Sequence, residues 1–237
     1  MDGTTHTLDS MEIEFANRLA LVAEYRDYPD GAHVQRVGRL AALLAHHMGL
    51  PEEQIAIMRY AAPLHDIGKI ALPDSILLKP APLTLDELDV MKAHTTIGAR
   101  MLSGSPSRIL QMAEEIALFH HENWDGTGYT PGLRGERIPL AGRIAAVADV
   151  FDALTHERPY KRPWTIDETV SWMESVRGRK FDPGVVEALL RSLDAIRSRV
   201  LERDEGDSES DVPSLPLLEP TPEPVYTPLP EIGASTG

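Results

Sequence analysis

The 237 residues are 42% hydrophobic and 25% charged, a balance that suits one globular domain of under about 200 residues with appendages. Without a single cysteine, disulfides and thiolate metal sites are excluded, so any metal is left to His, Asp, Glu and water. No apolar run approaches the roughly 18 residues needed to cross a bilayer, and Met1 is followed by polar residues rather than a signal sequence, so a cytoplasmic protein with no membrane attachment is expected.

The net charge of -14 is unevenly spread. Residues 202–237 hold nine acidic residues, one Arg and the seven prolines from Pro213 to Pro230, with few residues able to build a core; a disordered acidic tail is expected there. The remainder shows no stripe of Lys and Arg, which argues against a nucleic-acid polymer as partner.

In chain order, apolar spacing predicts a helix over residues 12–25 (Phe15, Leu19, Val22) and another over 34–50 (Val37, Leu40, Ala41, Leu44, Met48). Pro51, ahead of Glu52 and Glu53, opens a third helix toward Tyr60, which Pro63 kinks just before His65. Thr84 and Glu87 have capping-box spacing and begin a helix running to Leu102. An apolar helical run ends at Phe119, and residues 122–138 then form a long irregular segment carrying Gly126, Gly128, Gly132 and Gly135. A loop of that length in a compact domain is more often functional than not. A buried helix follows over residues 140–154; Thr165 and Glu168 repeat the capping box, and Asp182-Pro183 opens a last helix through about Leu201. Period-2 alternation is nowhere sustained, so the fold class is all-α.

Three groups of residues carry the chemistry. His65 and Asp66 are adjacent after an apolar run, which sets an imidazole nitrogen and a carboxylate oxygen side by side, a donor pair suited to hard or borderline divalent metals. Asp149 and Asp152 lie one turn apart on a helix that is apolar nearly all round, so something cationic must meet them: a metal, or an arginine such as Arg143 or Arg158. His120 and His121 enter the glycine-rich segment together, either as ligands of neighbouring metals or as one core and one surface histidine. His33 and His94 also lie near helix ends or apolar runs, whereas His6, His46, His47 and His156 read as ordinary histidines.

Taken together, these segments resemble the HD-GYP domains, bacterial phosphodiesterases of cyclic di-GMP within the HD hydrolase superfamily. The likeness spans roughly residues 28–190, through His33-Val34-Gln35-Arg36-Val37, Leu64-His65-Asp66-Ile67-Gly68-Lys69-Ile70, Ile76-Leu77-Leu78-Lys79-Pro80 and His94-Thr95-Thr96-Ile97-Gly98. It continues through His120-His121-Glu122-Asn123-Trp124-Asp125-Gly126-Thr127-Gly128-Tyr129, Arg143-Ile144, Asp149-Val150-Phe151-Asp152-Ala153-Leu154 and Arg158-Pro159-Tyr160, in family order and spacing. The resemblance implies an HD-domain helical bundle over residues 28–201, preceded by an N-terminal helix and linker (1–27) and followed by the tail (202–237).

It further implies that His33, His65, Asp66, His94, His120, His121 and Asp149 ligate two divalent ions, with Asp66 bridging them and Asp152 orienting a ligand or a cationic side chain. Iron or manganese is the implied metal. A metal-bridging hydroxide would then attack a phosphorus of cyclic di-GMP, yielding pGpG and in a further step GMP, with Asp66 and Lys69 as catalytic residues. Lys69, Tyr129, Arg158 and Lys161 match substrate-binding positions. The alternatives are hydrolysis of another cyclic dinucleotide or nucleotide, and a catalytically silent cyclic di-GMP sensor. Regulatory or diguanylate-cyclase proteins, and a second copy in a homodimer, are the protein partners considered. Two departures stand out: the namesake Gly-Tyr-Pro reads Gly128-Tyr129-Thr130 with Pro131 one place later, and Pro29 replaces a Glu that supplies a third metal site in some members, Asp30 being one step out of register. No third metal is expected.

Overall fold

The computed structural model describes residues 8–25, 32–156 and 162–202. Ten α-helices are present among them: α1 (Ser10–Glu24), α2 (Ala32–His47), α3 (Glu52–Ala61), α4 (Asp74–Leu77), α5 (Leu85–Leu102), α6 (Arg108–Phe119), α7 (Leu140–Thr155), α8 (Ile166–Ser175), α9 (Pro183–Arg191) and α10 (Leu193–Glu202). Short 3-10 turns occupy Ala62–Leu64, Ile67–Ala71 and Gly135–Arg137. The described residues contain no strand, only an isolated bridge between Arg177 and Phe181, in keeping with the all-α expectation. The described residues through Arg197 form one compact unit. Of the acidic tail expected over 202–237 only Glu202, the end of α10, is described, and the boundary expected between the N-terminal helix and linker (1–27) and the bundle from residue 28 lies outside the described residues.

Local chemistry sets most helix starts. Thr84 and Thr165 close full capping boxes with Glu87 and Glu168, satisfying amide groups that the first turn leaves unbonded. Asp9, Ser107 and Asp182 cap α1, α6 and α9 through their side chains. The Asp9 cap starts α1 at Ser10, two residues before the expected start at Glu12. Pro63 acts as its missing N–H dictates: α3 stops at Ala61 and tightens into the 3-10 turn Ala62–Leu64, which delivers His65.

One expected element is corrected. The last helix does not run unbroken from Pro183 to residue 201 but breaks at Ser192 into α9 and α10. There the Ser192 N–H is shared between the carbonyls of Ala188 and Leu189, and its hydroxyl donates to the Ala188 carbonyl as well, at 2.7 Å. Three donations onto two carbonyls tighten the last turn of α9, an effect that hydrophobic spacing does not reveal.

The core is rich in small residues. Val37, Ala41, Leu44 and Ala45 of α2 are buried with Ile144, Ala145, Val147 and Ala148 of α7 and Ile109, Ala113, Ile116 and Ala117 of α6. Each fully buried Leu or Ile contributes roughly 1.5–3 kcal/mol, and the alanines let helix axes approach closely. That packing brings the start of α2, the end of α6, the middle of α5 and the second half of α7 around one point.

Candidate metal centre

At that point two ligand groups face each other. His33, His65 and Asp149 each present one donor atom, all within 4.8 Å of one another, and Asp66, His94, His120 and His121 do the same. All seven residues singled out as ligands are therefore brought together. The turn bearing His65 and Asp66 is locked in place by Gly68, where an added Cβ would overlap the His94 carbonyl and lie 2.6 Å from the Gly98 nitrogen. Only glycine allows the Ile67–Ala71 turn to lie this close to α5.

The histidines are aimed by their inner-ring nitrogens. Nδ1 lies 3.0 Å from the Ala62 carbonyl in His65, 2.7 Å from the Met91 carbonyl in His94, and 3.0 Å from the Ile116 carbonyl in His120. A carbonyl only accepts, so each Nδ1 carries a proton and each Nε2 is turned toward the centre. In His33 the corresponding acceptor is the Asp152 carboxylate, 2.7 Å away.

Asp66 stands between the groups. Its Oδ1 lies 3.2 Å from His94 Nε2 and 3.6 Å from His120 Nε2, while Oδ2 lies 3.2 Å from His65 Nε2 and 2.8 Å from Lys69 Nζ. Asp149 Oδ1 faces His33 Nε2 at 3.5 Å and His65 Nε2 at 3.8 Å. Burial alone would raise the Asp66 carboxyl, but the Lys69 ammonium and the His65 imidazole hold it well below the usual carboxylate range. Burial likewise disfavours charge on His65, yet Asp66, helped by Asp149, pushes it up to about 9 in the metal-free protein. His94 goes the other way, down to about 4, because burial and the neighbouring His120 outweigh the attraction of Asp66. Burial and His120 also hold His121 well below the usual histidine range.

The arginine alternative separates the two α7 carboxylates. Arg143 is committed elsewhere, to Asp182 and to the Ile138 carbonyl, and meets neither Asp149 nor Asp152. Arg158 lies outside the described residues. Asp152 is instead met by Arg36, whose Nε and Nη2 approach its two oxygens at 2.7 and 3.0 Å, and by His33. Burial works against its charge, but these two partners hold it at about 2. Asp152 thus contacts both the His33 ring and the Arg36 guanidinium, where the resemblance implied a role in orienting a ligand or a cationic side chain. His156, an ordinary histidine by its sequence setting, joins the same carboxylate at 3.1 Å.

The glycine-rich segment covers one side of the centre. Gly128 passes so near the backbone of residues 121–123 that a Cβ would sit 2.6 Å from Glu122 Cα. The Tyr129 N–H donates to the His121 carbonyl, and its ring stacks on the His121 imidazole with centroids 4.8 Å apart and planes at 26°. Burial, followed by the charge of Asp66, pushes the Tyr129 phenol up to about 12, so it is neutral at physiological pH. Thr130, standing where the family places proline, hydrogen-bonds through its hydroxyl to that of buried Thr95, the residue after His94. The Thr95 hydroxyl itself donates to the Lys92 carbonyl, which leaves Thr130 as the donor of the pair.

Sequence reasoning missed three contributors. Arg36 enters it only as part of a motif, yet it neutralises Asp152. Buried Glu122 accepts from the Gly132 and Leu133 amides at 2.8 and 3.0 Å and so closes the loop. Buried Glu24 of α1 accepts from the Val34 amide beside His33, and it lines a narrow cleft with His33, His65, Asp66 and Lys69. An acid on the same helix face as Ala16, Ala20 and Ala23 was the available signal for Glu24, whereas Glu122, in the loop after α6, offered none. Arg158 and Lys161, the expected contacts to a second phosphate, and Pro29 and Asp30, which bore on a third metal, lie outside the described residues.

The donor set fits divalent metal. Nε2 of His65, His94 and His120 and Oδ1 of Asp66 are all buried without a hydrogen bond, a state that costs about 1–3 kcal/mol per group. Four such atoms converging on one place are satisfied together by cations, and N/O donors without sulfur suit iron, manganese, zinc, nickel or cobalt.

Known proteins resemble this chain in sequence and in fold. Among curated proteins, the chain is 53% identical over 184 residues to the cyclic di-GMP phosphodiesterase response regulator RpfG of Xanthomonas campestris pv. campestris, covering 78% of this chain and 49% of that protein. It is 51% identical over 173 residues to a cyclic di-GMP phosphodiesterase of Thermotoga maritima, covering 73% and 47%. The chain therefore spans about half the length of these relatives. Among solved structures, a cyclic GMP-AMP specific phosphodiesterase of V. cholerae superposes with a TM-score of 0.59 at 19% identity, covering 81% of this chain and 52% of that one, a likeness of fold. The HD domain family model matches residues 20–185, which hold all seven candidate ligands, and the chain belongs to the HD domain family.

Proposed function

We propose that the protein is a metal-dependent phosphodiesterase that opens cyclic di-GMP to linear pGpG. The observation that carries this reading is the pair of ligand groups meeting at Asp66, with an ammonium, Lys69, beside the shared carboxylate. The names of the two curated relatives support the choice of substrate. In this reading His33, His65 and Asp149 would hold one ion and His94, His120 and His121 the other, with the Asp66 carboxylate available to both. Iron or manganese is the favoured metal, and residues 28–201 form the catalytic domain. When bound, two such ions supply Lewis acidity and lower the pKa of water at neutral pH.

The chain's own residues do the rest. Lys69 exchanges its bond to Asp66 for a non-bridging phosphate oxygen, neutralising charge as water adds to phosphorus, the P–O3′ bond breaks and the water's proton ends on the leaving 3′ oxygen. Tyr129, neutral and pinned over His121, gives a nucleobase an aromatic wall, and Arg158 and Lys161 receive the second phosphate. Carboxylates that could repel this anion are held inward: Asp152 by Arg36 and His33, and Glu122 by the loop amides. No helix among the described residues is long and apolar enough to cross a membrane, and the proposed setting is the cytoplasm, where cyclic dinucleotide signals act.

The test is anaerobic turnover of cyclic di-GMP and 3′3′-cyclic GMP-AMP with metal quantified in the same sample. The expected result is about two ions per chain, faster hydrolysis of cyclic di-GMP, and loss of both metal and activity in Asp66→Ala. Preference for the mixed dinucleotide would replace the substrate, tight binding without turnover would make the protein a sensor, and full activity in metal-free protein would end the reading.

A further inference from the structure

Helix α1 turns a second apolar face to solvent. Its inner face is conventional, with Ala16, Ala20 and Ala23 buried in the core. On the opposite face Met11 is 73%, Phe15 62% and Val22 55% exposed, and Tyr25 at the C-cap is 42% exposed. Arg18 completes this stripe, held by Glu14 of the preceding turn at 2.7 Å. Positions 11, 15, 18, 22 and 25 alternate steps of four and three, the seam spacing of a two-helix coiled coil. A surface helix that packs only inward carries polar residues at those places instead.

We propose that this stripe docks a second copy of the chain, the two α1 helices running antiparallel about a two-fold axis that crosses the stripe midway between Phe15 and Arg18. The arrangement of charge within the stripe selects the occupant and the direction. Antiparallel pairing about that axis sets Met11 of one copy against Val22 of the other, and Phe15 against Arg18. Each guanidinium then lies over an aromatic ring, while its own Glu14 still neutralises it. Parallel pairing would place Arg18 against Arg18 in the middle of the contact, a like-charge clash at the position where a seam needs apolar packing. Antiparallel helices also oppose their dipoles favourably. The stripe is self-complementary in the sense an isologous dimer requires. With only a few side chains from each copy, the contact is small, and a dissociation constant on the order of 10 µM or weaker is expected. The same helix carries Glu24, which holds the Val34 amide beside His33, so the contact lies one helix away from the ligand groups.

The absence of cysteine makes the register directly readable in the full chain. Sedimentation equilibrium from about 1 to about 200 µM should show the average mass rising toward that of a dimer. Phe15→Glu should remain monomeric while keeping its helical circular dichroism and melting temperature, since the Phe15 ring stands mostly in solvent and outside the core. Under mild oxidation, Met11→Cys mixed with Val22→Cys should give a disulfide-linked pair at least about ten times faster than either variant alone. A mass independent of concentration overturns the proposal. So does a Phe15→Glu variant that still dimerises, or Met11→Cys linking to itself as fast as to Val22→Cys, the signature of parallel helices.

Discussion

Asp152 Oδ2 lies 2.7 Å from Nδ1 of His33, a residue 119 positions earlier in the chain, and the same carboxylate receives two nitrogens of Arg36. One side chain therefore fixes the ring of a candidate ligand and consumes a nearby positive charge. Asp152→Ala should lower metal affinity roughly 10–100-fold, the usual effect of removing a ligand's hydrogen-bond partner. It should also destabilise the fold by about 3 kcal/mol, because Arg36 is left largely buried without its partner. Competition titration with a metal chelator and urea unfolding read the two effects separately.

Two pH limits follow from shifts of opposite sign. Asp152 is depressed from 3.8 to about 2, so its contribution to stability is complete above about pH 4 and disappears as the pH falls toward 2. By linkage that contribution is about 2 kcal/mol, and acid unfolding of Asp152→Asn should lack it. His65 is raised from 6.5 to about 9 in metal-free protein, so its contribution is complete below pH 6.5 and is lost as the pH rises through 9. Metal-free protein should thus soften between pH 6.5 and 9, and metal uptake within that window should release protons, as calorimetry in buffers of different ionisation enthalpy will show.

Gly68→Ala tests the close approach of the Ile67–Ala71 turn to α5. The new methyl meets the backbone of His94 and Gly98, which cannot rotate aside as a side chain would. A loss of roughly 3 kcal/mol or more is expected in denaturant unfolding, with metal content falling because Asp66 is levered away from His94. Unchanged stability would mean the turn has a second resting place.

Thr130→Val removes the hydroxyl donated to Thr95 while keeping the shape of the side chain. The loop should lose about 1 kcal/mol of anchoring, so kcat/KM falls about fivefold while metal content and melting temperature stay constant. Thr130→Pro, which restores the family residue, should keep Tyr129 over His121 and preserve activity.

Much of the centre was legible in sequence because ligand chemistry is local in its signs: His65-Asp66, His120-His121, and two carboxylates on the apolar face of α7 each look misplaced unless something cationic joins them. The helices were legible for a similar reason, since Thr84-Glu87 and Thr165-Glu168 announce their own first turns. Partner choice over long distance was not legible. Nothing in the spacing of Asp152 names Arg36, 116 positions away, and nothing at Arg143 says that it belongs to Asp182 rather than to its neighbour on α7. The break at Ser192 and the loop closure by Glu122 depend on hydrogen bonds that hydrophobic periodicity does not encode.

His65 and Asp66 are neighbours in the chain, yet His65 belongs to one ligand group while Asp66 belongs to the other. The two groups are therefore linked through a single planar peptide unit, which fixes the two Cα atoms about 3.8 Å apart. The chain thus ties one donor of each group to the same short turn, so a displacement of that turn moves both groups at once.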